Sequence, residues 1–301
     1  MTKGSRQPRA AFLGLGLMGE SMAVNLAKSG MEVVGWNRTA GKRGAIALTA
    51  AGGRCEKSLA DAVKDADLIF TCLGDIPDVE EVIIGAEGVQ KWAGKKSVVI
   101  DFSTIGPQSA KRISEFLQAK EIAFLDAPVT GGDVGARNAT LTIMVGGEES
   151  AFLKAKPALE KMGNNIQHCG PAGAGQALKL CNQVLCAVNM VSVCESFSLA
   201  RSLGVEPSLI VDVLASGAGG SWALSTLGPR ILKSDFKPGF ALKHMLKDLR
   251  LVFENLESSE DDLPGTKLAR DLFKQIADSD GGAGGAKGTQ AMSLAYARKP
   301  E

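Results

Sequence analysis

Short apolar runs punctuate the first half of the chain at 10–15, 32–36, 67–73, 97–102, 122–126 and 141–145, and segments of helical apolar period separate most of them. That alternation is the pattern of a parallel sheet covered by helices. After residue 170 the strand signals stop. The remainder reads as helices broken at Gly204, 217–221, 237–239 and 280–288, with the glycine-rich 281–288 a flexible loop by composition. The expected fold class is α/β, a doubly wound sheet over 1–172 followed by an all-helical domain over 173–301, and no internal repeat is found.

The longest helical signal covers 174–203, about 30 residues without Pro and, apart from Gly175, without Gly. Glycines at 173 and 204 supply its start and stop signals, and a helix of that length spans roughly 45 Å. Leu178, Leu180, Val184, Leu185, Val188, Met190, Val191 and Val193 leave few positions to face water, so the helix is expected to be buried. Yet Lys179, Asn182, Cys186 and Asn189 follow a three-and-four spacing along one side. A buried ammonium needs a partner, a cavity or a ligand. On the residues alone, a lysine that snorkels to solvent and a lysine with a catalytic role are equal alternatives.

Composition narrows the class of function. The chain has 301 residues, 45% of them hydrophobic and 22% charged, enough for two domains of an ordinary globular protein. A formal net charge of +1 makes no electrostatic case for nucleic acid or membrane surfaces as partners. The start MTKGSRQPRA lacks the apolar core of a secretory signal and reads as a solvated leader, with a targeting remnant for an organelle matrix as the alternative. Six cysteines without CxxC spacing suggest free thiols in a reducing compartment, and a cytoplasmic location is expected. His168 and His244 belong to no cluster with metal-ligand spacing, so no metal is expected.

Ala11-Phe12-Leu13-Gly14-Leu15-Gly16-Leu17-Met18-Gly19 is an apolar strand running into GxGxxG, with the helix-period segment SMAVNLAKSG directly after it. In such a turn Gly14 permits the tight bend, Gly16 lets the backbone approach a pyrophosphate, and Gly19 allows close helix packing. The helix N-terminus that follows favours an anion. A structural glycine turn is the alternative, but the strand, helix and second strand stand at the spacing of a dinucleotide site. About 20 residues on, where an NAD site offers a carboxylate, the chain reads Trp36-Asn37-Arg38-Thr39. Arg38 can fork onto a 2′-phosphate, with Asn37 and Thr39 adding neutral hydrogen bonds, so NADP(H) is the expected cofactor, against an exposed arginine at a strand end.

Hydride transfer requires an acid or base beside the reacting oxygen. Tyr296, the only tyrosine, lies too near the end for a YxxxK pair. His244 and Asp248 could form an i,i+4 pair, although on a helix surface such pairs are commonly incidental. Lys179 survives that sieve, with Asn182 one turn later able to orient the ammonium or a substrate hydroxyl. Asp126-Ala127-Pro128-Val129-Thr130-Gly131-Gly132 ends a strand in a Thr-Gly-Gly turn, whose backbone amides and Thr130 hydroxyl suit a carboxylate.

Four separated motifs together resemble the β-hydroxyacid dehydrogenases: FLGLGLMGESMAVNL at 12–26, DAPVTGG at 126–132, GAGQALKLCNQ at 173–183, and Lys247-Asp248 in HMLKDLRL. The resemblance implies an N-terminal Rossmann-type domain and an all-helical C-terminal domain joined by a long helix, assembled as a homodimer or homotetramer. It implies that Lys179 is the catalytic lysine, and that Thr130, Gly131, Gly132 and Asn182 contact substrate. It puts Lys247 over the cofactor with Asp248 beside it. Leu73 and Gly74, with Ser103 and Thr104, fall in the turns lining the nicotinamide half of the site. Phe240 and Trp222 are candidates to border the substrate in the same reading, with a place in the core as the alternative for each. The WNRT segment is similar to NADPH-preferring semialdehyde reductases. Thr130 departs from the family's usual serine, adding a methyl group to the carboxylate pocket, and SGAGGSW at 216–222 with GTQAM at 288–292 resembles only some branches.

The functional expectation is NADPH-dependent reduction of a small carboxylate-bearing aldehyde, glyoxylate or succinic semialdehyde, with Lys179 as general acid/base. The alternatives are a 3-hydroxyisobutyrate-type dehydrogenase and, in another class, a catalytically silent NADP-binding scaffold, against which retention of Lys179 argues. Imine reductases share the plan but usually replace the lysine.

Overall fold

A computed structural model describes residues 8–39, 41, 43–257 and 259–297; the basic leader over 1–7 lies outside the described residues. Nine strands form one sheet: β1 (Ala10–Leu13), β2 (Val33–Trp36), β3 (Arg54–Cys55), β4 (Leu68–Thr71), β5 (Val98–Asp101), β6 (Ala123–Asp126), β7 (Val129–Thr130), β8 (Leu141–Gly147) and β9 (Gly163–Gly170). Between and after them run α1 (Leu17–Lys28), α2 (Arg43–Ala50), α3 (Leu59–Val63), α4 (Ile76–Ile84), α5 (Val89–Trp92), α6 (Gly106–Gln118), α7 (Gly132–Asn138), α8 (Glu149–Leu159) and the long α9 (Ala174–Ser202). Then come α10 (Pro207–Leu214), a π-turn at Ala223–Leu227, α11 (Gly228–Leu232), α12 (Leu242–Glu254) and α13 (Pro264–Ala277). Packing divides the chain into two compact units between Lys179 and Leu180, inside α9.

In the first unit the strands run β3-β2-β1-β4-β5-β6, all parallel, the doubly wound order that the alternation of apolar runs and helices predicts. Strand side chains alternate between faces, so each run feeds two cores. Ala10, Phe12, Leu68, Phe70, Val98 and Ile100 pack under one helical layer. Ala11, Leu13, Ile69 and Val99 pack under the other. Phe12, Phe70 and Phe102 stack at ring separations of 5.7 to 6.2 Å in the first of these cores.

All six expected strands are present, trimmed at most ends. Strands β3 and β7, each two residues long, are too short to show a period. Strand β9 pairs only with β8 and exposes Asn164, Asn165 and Gln167, so its polar edge gives no apolar run to read. Strand β8 reverses direction, running antiparallel to β6 and β7.

In the second unit, α12 buries Leu242, Met245, Leu249 and Val252 and α13 buries Thr266, Ala269, Phe273 and Ile276, each a three-and-four stripe. The break over 255–263 between them carries no glycine and is not apparent from the pattern. The expected flexible loop at 281–288 is instead wound as 3₁₀ turn over Asp280–Ala286, where Gly281 and Gly282 take φ of 67° and 92°. Gly281 and Gly282 there supply a positive-φ turn that other residues adopt less readily.

The long helix matches its expected span but is not buried all round. Leu185 and Leu199 are 64% and 59% exposed, and Leu178 and Val188 continue the same face. By length and composition Ala174–Ser202 would also pass as a membrane-crossing helix. Its buried Gln176, Lys179 and Gln183 are all hydrogen-bonded to protein partners, as in the core helix of a globular protein.

Candidate functional site

Register brings together the predicted cofactor residues of the first unit. Leu13 is level with Trp36 and with Thr71, Thr71 with Asp101, and Asp101 with Asp126. The segments that follow, 14–19, 37–39, 73–74 and 103–104, therefore lie along one carboxyl edge of the sheet, where open α/β sheets bind ligands.

At the first of these turns Gly14 has φ 96°, and a Cβ on Gly19 would come within 2.0 Å of the Gly14 carbonyl oxygen. Around Gly16 a Cβ would meet nothing within 4 Å, and no side chain caps α1. The first amides of α1 thus face open space beside exposed Gly16 and Leu17, a cradle that fits a pyrophosphate. Met18 packs against the first core, and buried Leu15 donates its N–H to Asn37 Oδ1 at 3.2 Å. Asn37 Nδ2 donates in turn to the Thr39 carbonyl at 3.0 Å. Asn37, expected to meet the cofactor, also fastens the glycine turn to the end of β2. Arg38 is exposed, and its Nη1 lies 2.8 Å from Asp78 Oδ1 on α4. Thr39 is exposed beside it.

The next two turns are tied to each other. Asp101 Oδ1 accepts from Thr71 Oγ1 and Ser103 Oγ, both at 2.7 Å, and from the Ser103 N–H at 3.1 Å. Ser103 Oγ in turn accepts from the Leu73 N–H at 2.9 Å. Ser103 is buried and Thr104 half-buried, while Gly74 is exposed with Asp78 alongside.

Lys179 is 6% exposed, and its Nζ donates to the Val129 carbonyl at 2.9 Å. That contact removes the snorkelling alternative: the lysine does not reach water but turns toward the segment just before Thr130. Thr130 is half-buried, and Gly131 and Gly132 follow with φ of 126° and 63°, bending the chain into α7. Asp126, at the head of the same motif, accepts from the Gly173 N–H at 2.7 Å and the Gln176 N–H at 2.8 Å, capping α9. Burial pushes its carboxyl up to about 6, with the backbone amides offsetting part of the effect. Asp126 and Gln176 escaped the reading of the sequence as site residues, although both stand inside the quoted motifs.

The second unit holds its own set. Asn182 Nδ2 donates to Gln183 Oε1 at 2.8 Å, Gln183 Nε2 donates to Asp248 Oδ2 at 2.6 Å, and Asp248 Oδ1 pairs with Lys247 Nζ at 2.8 Å. Gln183 was not expected, yet it links Asn182 on α9 to the Lys247-Asp248 pair on α12. Asp248 is buried and spends both oxygens this way rather than on His244. Half-buried Phe240 packs its ring 6.0 Å from that of His244, and Trp222 is 62% exposed.

Two family models cover nearly the whole chain. The NAD binding domain of 6-phosphogluconate dehydrogenase matches 9–170, and the NAD-binding domain of NADP-dependent 3-hydroxyisobutyrate dehydrogenase matches 173–294. An uncharacterized oxidoreductase of Synechocystis sp. is 46% identical over 96% of this chain and 98% of its own. The 2-hydroxy-3-oxopropionate reductase of Escherichia coli is 35% identical over 91% of this chain and 92% of its own. Among solved structures, 3-hydroxyisobutyrate dehydrogenase of Mycobacterium tuberculosis with L-serine superposes with a TM-score of 0.86 at 33% identity, covering 97% of this chain and all of that one. A glycine cradle at the sheet edge, a buried lysine beside a Thr-Gly-Gly turn and these full-length likenesses agree: the chain belongs to the β-hydroxyacid dehydrogenase family, NAD(P)-dependent oxidoreductases of hydroxyacids.

Proposed function

We propose that this protein reduces a small carboxylate-bearing aldehyde, glyoxylate or succinic semialdehyde, with NADPH, and that Lys179 is its general acid/base. The observation that carries the reading is the 2.9 Å bond from Lys179 Nζ to the Val129 carbonyl, which holds the ammonium beside the turn expected to anchor a carboxylate. The nicotinamide, when bound, supplies the hydride. The glycine cradle and the first amides of α1 hold the pyrophosphate, and Arg38 holds the 2′-phosphate. Thr130 and the Gly131-Gly132 amides bind the substrate carboxylate, so that the aldehyde oxygen has a fixed direction. Lys179 gives a proton to that oxygen as it gains charge, and the product is the hydroxyacid. In the oxidative direction the lysine takes the proton back. The family resemblance assigns Asn182 to the substrate and Lys247, paired with Asp248, to the cofactor.

A second reading is oxidation of 3-hydroxyisobutyrate, and the likeness to the M. tuberculosis enzyme of that name supports it. The test compares NADPH and NADH consumption with glyoxylate, succinic semialdehyde and methylated analogues, and reduction of NADP+ and NAD+ by 3-hydroxyisobutyrate. Lys179→Ala is run alongside and is expected to lose about two to four orders of magnitude in turnover while still binding NADPH. Faster turnover of 3-hydroxyisobutyrate than of any aldehyde selects the second reading. Tight NADPH binding without turnover of any compound leaves a cofactor-binding scaffold.

We also place self-association, as a homodimer or homotetramer, on the helical unit. Helix α10 buries none of its residues, and Leu209, Val213 and Leu214 on it are about half exposed or more. With Leu199 and Leu203 they make more exposed apolar surface than isolated side chains would.

A further inference from the structure

Gln176 stands one helical turn before Lys179 on α9 and is 0% exposed. Its Oε1 accepts from the Ile105 N–H at 2.9 Å and the Gly106 N–H at 3.1 Å, and its Nε2 donates to the Ser103 carbonyl at 2.8 Å. Those amides open α6, which no side chain of its own caps. Gln176 therefore supplies the side-chain acceptor at the start of α6 from another helix. Its own backbone N–H is held by Asp126. One carboxylate thus caps α9, and a side chain of α9 caps α6.

The turn that Gln176 grips is the one carrying Ser103 and Thr104, and Ser103 Oγ takes the Leu73 N–H. The Gln176 side chain consequently joins the helix bearing Lys179 directly to the turn at 103–104 and, through Ser103, to the turn at 73–74, both assigned to the nicotinamide half of the site. We propose that Gln176 is a positioning residue that sets where the Lys179 ammonium stands relative to the cofactor-lining turns, without touching substrate itself. This rests on the reading of Lys179 as proton donor.

The chemistry of the grip is specific to a carboxamide. One end must accept two N–H groups and the other must donate to a carbonyl. A carboxylic acid can do both, but a carboxylate turns an oxygen toward the Ser103 carbonyl and loses the donor. Burial raises the pKa of a carboxyl. In Gln176→Glu, the neutral form therefore mimics the amide at low pH and the grip fails as pH rises.

The experiment measures kcat and KM of Gln176→Glu, Gln176→Leu and Lys179→Ala with NADPH and glyoxylate or succinic semialdehyde between pH 5 and 9, NADPH affinity by fluorescence, and melting of the cofactor-free proteins over the same range. Gln176→Glu is expected near wild type at the acid end and to fall between about tenfold and a hundredfold in kcat, with a smaller change in KM, as the introduced carboxyl ionises. Its cofactor-free melting temperature falls over the same pH range relative to wild type. Gln176→Leu is low at every pH, with no acid rescue. Wild-type kcat and pH profile in Gln176→Glu, with Lys179→Ala inactive, overturns the positioning role alone. A pH-dependent fall in melting with kcat unchanged makes Gln176 a structural clamp only and overturns it as well. Turnover retained in Lys179→Ala overturns the proton-donor reading, and the positioning role with it.

Discussion

Arg38 shows how much a residue's meaning depends on its neighbours. In the sequence it stands where an NAD site carries an acid, and its charge points to a 2′-phosphate. In the fold the guanidinium already has Asp78 Oδ1 at 2.8 Å, from a residue 40 positions away. The Arg38 side chain is 70% exposed and that of Asp78 37%, so solvent weakens the pair and a doubly charged phosphate can compete for the guanidinium. On the proposed reading, in which Arg38 holds a 2′-phosphate, Asp78 competes with that phosphate for the guanidinium. Asp78→Asn should raise the NADPH-to-NADH ratio of kcat/KM by a few-fold, about fivefold at most. Arg38→Asp should lower that ratio by about tenfold or more, since it removes a charge-assisted bond and supplies a ribose acceptor. Steady-state kinetics with both cofactors checks the pair, and an unchanged ratio in both variants would put the phosphate elsewhere. Lys179 is the opposite case: the sequence left its nitrogen two destinations, and one contact with the Val129 carbonyl decided between them.

Helix α9 was legible as an element because glycines bracket an unbroken apolar stretch. What starts it was not, since the carboxylate that caps it lies in the strand motif at Asp126, 47 residues before Gly173. That carboxylate is buried, and its loss of hydration outweighs the amides it accepts from, so it holds its proton up to about pH 6. The folded protein therefore binds this proton more tightly than the unfolded chain does. The associated stabilisation is complete below the unfolded pKa near 4 and is lost as pH rises through about 6, a difference on the order of 3 kcal/mol. Asp126→Asn removes the titration and replaces one capping acceptor by a donor, so it is destabilised at every pH, while its stability curve lacks that fall. Urea unfolding of both proteins at pH 4, 5, 6 and 7 reads the gap, which should be widest at pH 4 and narrow towards pH 7. Parallel curves would mean that Asp126 does not titrate in that range. The same element exposes a limit of pattern reading: an apolar face on a long helix predicts burial, but not whether the chain's own packing supplies the cover.

At the scale of the molecule, the residues expected to act are divided between the two units. The first holds the glycine cradle, the Thr130 turn and Lys179, and the second holds Asn182, Gln183, Lys247 and Asp248 in one hydrogen-bonded line. The second unit also leaves α10 without a buried residue. If a second copy covers that face, Leu209→Glu with Val213→Glu should yield monomers by light scattering where the parent protein is dimeric or tetrameric, because charges desolvated in an interface are costly. A parent protein that is itself monomeric at micromolar concentration would remove the proposal. The sequence by itself determined the strand-helix alternation, the glycine fingerprint and the order of the four motifs, because these depend on local period and on side chains that have no substitute at their positions. Tertiary structure decided which oxygen Lys179 meets, that Asp126 caps α9 and Gln176 caps α6, that Asp78 shadows Arg38, and that one face of α9 stays exposed. The first four are contacts between residues far apart in the chain and the last is the lack of such contacts, all set by the register of strands and the packing of helices, and no local period records them.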